Sequence, residues 1–412
     1  MLGFLGILLV AVGILISVSL HEAGHMGTAK GFGMRVTRYF VGFGPTMFSW
    51  KRGDTEYGVK YLPLGGFVKI VGMTPQDEDA KDDRAMWKFK VWKRTIVMAA
   101  GSIVHFILAF LIFWAVAATA SMPNPDNMGP LAEDAKAQPA YIYVADCINP
   151  DQTGKCAVQD GRAKAAGLQT GDKVTRIGST PIINYGDLVT TIRTLTPEQP
   201  VDVTIVRSTE TKTIAVTPST GERAPLDDPK GAKVKVPVLG LGLDFNPNIP
   251  SRVEYNAAEA LPVGASLMGD TFMRVIEAIK KFPEKIPGLW SAITGGERDP
   301  ESPVSVVGAA RIGGDLAELN QWPAIFAMIA SLNLFIGLFN LLPLLPLDGG
   351  HIAIAWFERI RSWIYAKLRK PDPGRVDYYK LMPLTYTVIL IFGAFTLLTI
   401  TADIVNPISL FK

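Results

Sequence analysis

The 412 residues predict a multi-pass α-helical membrane protein with four transmembrane helices, a membrane-associated β-hairpin region and one extracytoplasmic α/β domain. Three observations lead there. Hydrophobic residues make up 48% of the chain against 19% charged, they are gathered in blocks, and four of those blocks contain no Asp, Glu, Lys or Arg. Crossing a bilayer takes ~20 mostly apolar residues. Met1–Leu20, Thr95–Met122, Pro323–Leu347 and Leu381–Ala402 all reach that length. In water, four such runs would each have to be buried as a core helix, which this composition does not favour.

The first segment is read as an uncleaved anchor. It lacks a basic n-region and an Ala-x-Ala-like exit, and it runs directly into His21-Glu22-Ala23-Gly24-His25. The loop that follows, from Lys30 to Arg94, carries thirteen Lys/Arg, and Arg359–Lys380 carries seven. The positive-inside bias puts both in the cytoplasm. With four crossings, the two termini and the long Pro123–Trp322 region then lie outside, and the protein sits in the cell inner or plasma membrane.

Within the first loop, Tyr39–Pro45 and Gly58–Val68 are rich in β-formers and glycine and flank the polar turn Lys51–Glu56. They predict hairpins. A bare strand edge is not tolerated in hydrocarbon, so these strands are sheltered or lie near the interface, where an exposed edge can pair with a substrate backbone; a purely structural hairpin is the alternative.

After the second apolar segment, Pro123–Pro130 reads as a linker. Ala140–Asp146 predicts a strand, Gly161–Ala166 a helix start, Gly167–Ile177 a turn and strand, and Asn184–Arg193 a helix. Val201–Arg207 and Thr211–Thr217 pair as a hairpin. One α/β domain spanning 135–220 results, between a membrane region at 1–122 and a segment at 254–322. Within the latter, Phe272, Val275, Ile276, Ile279 and Phe282 recur at helical spacing beside lysines, the pattern of an amphipathic helix on the outer membrane surface or packed on the outer domain. Residues 323–412 form the C-terminal membrane region. The only cysteines, Cys147 and Cys156, lie in the outer region, where turn formers between them allow a disulfide or two free thiols. The net charge of +3 serves topology, and no basic-aromatic face suggests nucleic-acid binding.

On a helix, His21 and His25 share a face and can present two imidazoles to one ion. Neutral imidazole suits zinc, and a catalytic zinc site takes three protein ligands plus water. Glu22, beside the first histidine, is placed to act as the base. Small Ala23 and Gly24 allow close approach of neighbouring elements. Ionisable groups at this depth are expensive, which gives the motif weight. A third ligand is needed, and Glu56, His105, Asp348 and His351 are available. Asp348 is the stronger candidate: it ends an apolar run in which Pro343 and Pro346 break helical hydrogen bonding, and Gly349-Gly350 permits a tight path. A lone aspartate there is costly unless paired or metal-bound. Asn340, just before the proline-broken stretch, is a candidate for binding substrate backbone. Asn333 reads as an interhelical hydrogen bond.

These residues resemble the site-2 protease family of intramembrane zinc metalloproteases. The likeness rests on His21–His25, on Pro63-Leu64-Gly65-Gly66 in the hairpin region, and on Asn340-x-x-Pro-x-x-Pro-x-Asp-Gly-Gly ending at Gly350. The run Ala166–Val174 with the helix behind it resembles a PDZ domain. A single PDZ-like module is similar to the bacterial regulated-intramembrane-proteolysis branch, its actinobacterial members included. The resemblance implies Zn2+ held by His21, His25 and Asp348, with Glu22 as catalytic base and Asn340 in substrate binding. It also implies a single-pass membrane protein as substrate, such as an anti-sigma factor already cut outside, a PDZ-like groove that senses the trimmed end, and contact with membrane lipid. A transporter using the same three residues for ion movement predicts flux without cleavage, but four spans and no convincing inverted repeat argue against it. A noncatalytic chaperone or signalling module using the groove predicts that Glu22→Gln retains biological activity.

Overall fold

The computed structural model describes residues 2–123, 137–148, 161–224, 232–244, 252–299 and 302–408. The chain forms two compact units, Met1–Ala120 with Tyr255–Lys412, and Ser121–Glu254. Among the described residues, four helices of the first unit are long and apolar enough to cross a membrane.

Helix α1 (Leu2–Gly31) continues past the apolar stretch, so the histidine pair lies within it. Strands β1 (Val36–Arg52) and β2 (Thr55–Ile70) follow, joined at Gly53, whose φ of 60° suits a tight turn. The hairpin doubles back on itself. Residues 38–41 pair with 66–69 on one side and with 56–59 on the other, while 46–52 pair with 55–60. The resulting ladder has the 66–70 segment at one edge. Phe43, Met47, Phe48, Trp50, Tyr61 and Leu64 leave an exposed apolar tip. Helix α2 (Val91–Thr119) returns across the membrane region.

In the second unit, β3 (Met122–Pro123) precedes β4 (Tyr141–Val144), α3 (Arg162–Ala166), β5 (Asp172–Ile177), β6 (Thr180–Pro181), α4 (Tyr185–Arg193), β7 (Val201–Arg207) and β8 (Glu210–Val216). Strands β9 (Ser219–Arg223), β10 (Val234–Val238) and β11 (Leu241–Leu243) had no sequence expectation. Strand β12 (Arg252–Val253) pairs with β3. The main sheet has order β11-β4-β5-β7-β8, with β6 beside β5. Its alternating inward residues, among them Ile142, Val174, Ile177, Val203 and Ile205, close a core with Leu188 of α4. Asn184 and Asp187 form a capping box that starts α4. Sheet and flanking helices make a PDZ-like domain. Cys147 is disulfide-bonded; Cys156 and residues 124–130 of the expected linker lie outside the described residues.

The chain then re-enters the first unit through α5 (Ala260–Ile293), α6 (Val306–Glu318), α7 (Trp322–Asn340), α8 (Asp348–Lys367) and α9 (Met382–Val405). The apolar stripe of α5 is taken up largely by other helices: Phe272 and Val275 pack with Ala109, Phe113 and Leu334, and Phe282 stacks near Phe395 at 4.2 Å between centroids. Helix α6 lies along α1 through small residues. A Cβ on Gly6 would come within 2.2 Å of the Gly313 carbonyl, so only glycine allows this approach. The third apolar run does not stay helical to Leu347. It stops at Asn340, because Pro343 and Pro346 cannot donate the hydrogen bonds that would extend it.

A buried carboxylate anchors α6. Asp403 of α9 accepts from the Ser305 backbone N–H at 2.7 Å and pairs with the equally buried Arg298. Removing one partner strands the other charge out of water. Asp403→Ala is therefore expected to cost about 3–5 kcal/mol, read as a clear drop in the unfolding midpoint of the solubilised protein; an unchanged midpoint would contradict this account of α6.

Candidate active site

His21 and His25 project from one face of α1 and are 6% and 4% exposed. Their burial depends on how closely α2 approaches. A Cβ on Gly24 would sit 2.9 Å from the Ala100 carbonyl, and one on Gly101 would sit 2.3 Å from the His21 ring. Glycine on both helices thus makes the space that His21 occupies.

Asp348 reaches the same point from α8, of which it is the first residue. The turn between α7 and α8 brings it there. Gly349 packs so tightly against the Leu341 and Leu342 carbonyls that a Cβ would lie 2.2 Å from the first. Asp348 Oδ2 is 3.4 Å from His21 Nε2 and 3.3 Å from His25 Nε2, and the two Nε2 atoms are 3.0 Å apart.

This triangle fits a metal ion. Ligand atoms about 2.0–2.2 Å from a tetrahedral ion are separated by about 3.3–3.6 Å, close to the observed edges. Donor chemistry agrees. His25 Nδ1–H donates to the Val97 carbonyl at 2.7 Å, which leaves its Nε2 as a lone pair facing Asp348. Asp348 Oδ2 is buried without a hydrogen-bond donor. Among the described residues, these three form the His/Cys/Asp/Glu group able to hold a metal.

Glu22 lies beside the edge of the hairpin, where the backbone of Val68 faces its carboxylate and a Cβ on Gly66 would stand 3.7 Å from its Cγ. Tyr39 donates its hydroxyl to the Ser19 carbonyl at 2.8 Å and ties the hairpin to α1. Asn340 is the last residue of α7, directly before the Leu341 carbonyl that touches Gly349.

The other candidates fall elsewhere. Glu56 accepts from Ser49 on the exposed hairpin. His351 stacks on Tyr378 at 5.8 Å, beside Arg94 and Met98. His105 bonds Asn333 across the α2–α7 interface, at 2.8 Å between Nδ1 and Oδ1. The Asn333 amide donates through Nδ2 to the Ile329 carbonyl, so its Oδ1 is the acceptor and His105 Nδ1 carries the proton. His105 Nε2 is then a lone pair. It is fully buried and has no partner, and the same holds for His21 Nδ1, on a ring 5.0 Å away between centroids. Gly101, Val97 and Val68 carried no sequence signal, since each acts through its backbone or its lack of a side chain.

The sequence matches peptidase family M50 over residues 9–370. Zinc metalloprotease Rip1 of Mycobacterium tuberculosis is 39% identical over 411 residues, covering 99% of each chain. Rip1 of Mycolicibacterium smegmatis is 39% identical over 420 residues, again with 99% of each chain covered. A putative zinc metalloprotease of Agrobacterium fabrum is 28% identical over 365 residues, 84% of each chain. The buried His-His-Asp group, set among helices able to span a membrane, and this near full-length likeness lead to one conclusion: the chain belongs to peptidase family M50 and is a metalloendopeptidase of the membrane.

Proposed function

We propose that the protein is an intramembrane zinc endopeptidase that cuts a peptide bond in or near the transmembrane segment of single-pass membrane proteins during regulated intramembrane proteolysis. The observation that carries this reading is the meeting of α1 and α8 residues at one buried point within a bundle of apolar helices. His21, His25 and Asp348 hold the ion. When bound, zinc supplies Lewis acidity that polarises the scissile carbonyl and makes water nucleophilic at neutral pH.

Glu22 takes the proton of the attacking water and returns it to the leaving amine. The Val68 contact orients its carboxylate for both transfers. Substrate lies extended along the 66–70 edge, because a helix keeps each amide in its own hydrogen bonds and only an unwound segment offers a bare backbone. The apolar hairpin tip sits among lipid chains. Asn340 bonds the substrate backbone next to the cut. His105 accepts from His21 Nδ1–H through one water and so holds the imidazole with Nε2 toward the ion.

The basic loops at 30–94 and 359–380 orient the site toward the cytoplasm and put the PDZ-like domain outside. There it binds the end of a substrate, such as an anti-sigma factor, already trimmed by another protease.

Reconstitution with candidate single-pass substrates tests this reading. Glu22→Gln is expected to lower turnover by at least ~10²-fold while zinc content, measured by elemental analysis, stays at the wild-type level; cleavage at the wild-type rate sinks the assignment. Asn340→Ala should lower kcat by about 10²–10³-fold with zinc retained, and wild-type peptide turnover would remove Asn340 from the mechanism. For His105, chelator competition should show zinc affinity falling ~10–100-fold in His105→Leu but recovering in His105→Gln. The Gln amide can both donate to Asn333 and accept from His21, so equal affinities in the two variants would reduce His105 to packing.

A further inference from the structure

Helix α8 carries an apolar face left exposed among the described residues. Trp356, Phe357, Ile360, Trp363 and Ile364 recur at the spacing of one helical face and are 42–55% exposed. The helix is not one of the four apolar enough to span. Cations border the face: Lys367 Nζ lies 4.4 Å from the Trp363 ring centroid, and the Arg361 guanidinium 5.4 Å from that of Phe357. Cations held over aromatic rings at the border of an apolar face is a disposition expected at a headgroup layer.

Beside this face runs a groove of about 650 Å³, walled by Trp92 and Trp356 and lined by four cations, Lys88, Lys90, Arg359 and Arg375, and two carboxylates, Glu358 and Asp372. Glu358 is turned inward and satisfied by Arg94, Arg375 and the Val376 N–H. Asp372 accepts from Ser362 and the Gly374 N–H, and Lys88 pairs with Asp83. Lys90 and Arg359 have no carboxylate within ion-pair distance among the described residues. The groove opens at the first turn of α2, the end of a spanning helix, and Trp356 is fixed there by donating to Thr95 Oγ1 at 3.0 Å.

We propose that α8 lies in the membrane interface and that this groove binds the headgroup phosphate of an anionic phospholipid, with Lys90 and Arg359 as its counter-charges and the Trp356–Ile364 stripe in the acyl boundary. Unmatched positive charge beside an unpartnered aromatic face fits an anionic leaflet better than water or a neutral one. Helix α8 begins at Asp348, so lipid bound farther along holds the same rigid strut that delivers that carboxylate.

The test uses the full chain in nanodiscs, which expose both leaflets, with brominated phosphatidylglycerol or brominated phosphatidylcholine as tryptophan quencher. Stronger quenching by the anionic lipid is expected. The excess should fall in Trp356→Phe/Trp363→Phe and vanish when Trp92→Phe is added, and the phosphatidylglycerol preference should fall about fivefold for each cation removed in Lys90→Gln and Arg359→Gln. In the wild-type protein, which needs no folding control, the excess should shrink as salt shortens the Debye length from about 30 Å at 0.01 M to about 8 Å at 0.15 M. Equal quenching by the two lipids overturns the proposal. So does protection of both tryptophans from either lipid, which would put a protein surface such as a second copy over the stripe. Displacement by excess inorganic phosphate would instead assign a soluble-anion site and refute the lipid one.

Discussion

Two imidazoles and a carboxylate packed within hydrogen-bonding distance of one another, inside a bundle of apolar helices, form the contact around which the membrane unit is arranged. Ionisable groups there carry a desolvation penalty that mutual attraction alone repays poorly. The buried, donorless Oδ2 of Asp348 and the two facing Nε2 atoms show where compensation is needed. A cation at their centre would supply it. Helix lengths, glycine placement and the break between α7 and α8 are best understood as the means of bringing these three side chains to one point.

Close backbone approach makes this possible. In a bundle without a hydrophobic driving force between helices, contact area and shape decide association. Gly6 against Gly313 seats α6 on α1, and Gly24 and Gly101 seat α1 on α2. The same device acts on the far side, where Gly349 and Gly350 lie against the backbone of the turn that precedes them. Small residues therefore carry as much of the site's precision as the ligating ones. Their contribution is the space they leave.

The hairpin and the PDZ-like domain obey the opposite logic, that of ladder hydrogen bonds and alternating side chains. Doubling back puts the 38–41 and 55–60 segments inside the ladder and leaves the 66–70 stretch as an edge beside Glu22. Edges are a liability in most proteins. Here the edge lies beside Glu22, the neighbour of His21 in sequence, which links a secondary-structure property to the chemistry proposed for it.

Much was legible in the chain itself. The four spanning helices followed from apolar length, the sheet strands 141–144, 172–177, 201–207 and 210–216 and helix α4 lie close to the bounds expected from the sequence, and the pairing of His21 with His25 followed from helical spacing. Asp348 was marked by being an aspartate where solvation is poor. These are local signals, because periodicity, capping and charge cost act over a few residues. The helical α8 with its exposed aromatic face, the strands between 219 and 243, the taking up of the α5 stripe by α2 and α7, and the bond between His105 and Asn333 were decided only in three dimensions. Each depends on which distant surface arrives next to a residue, and a buried polar atom or a glycine states only that it needs a partner or space, never which element of the fold will provide it.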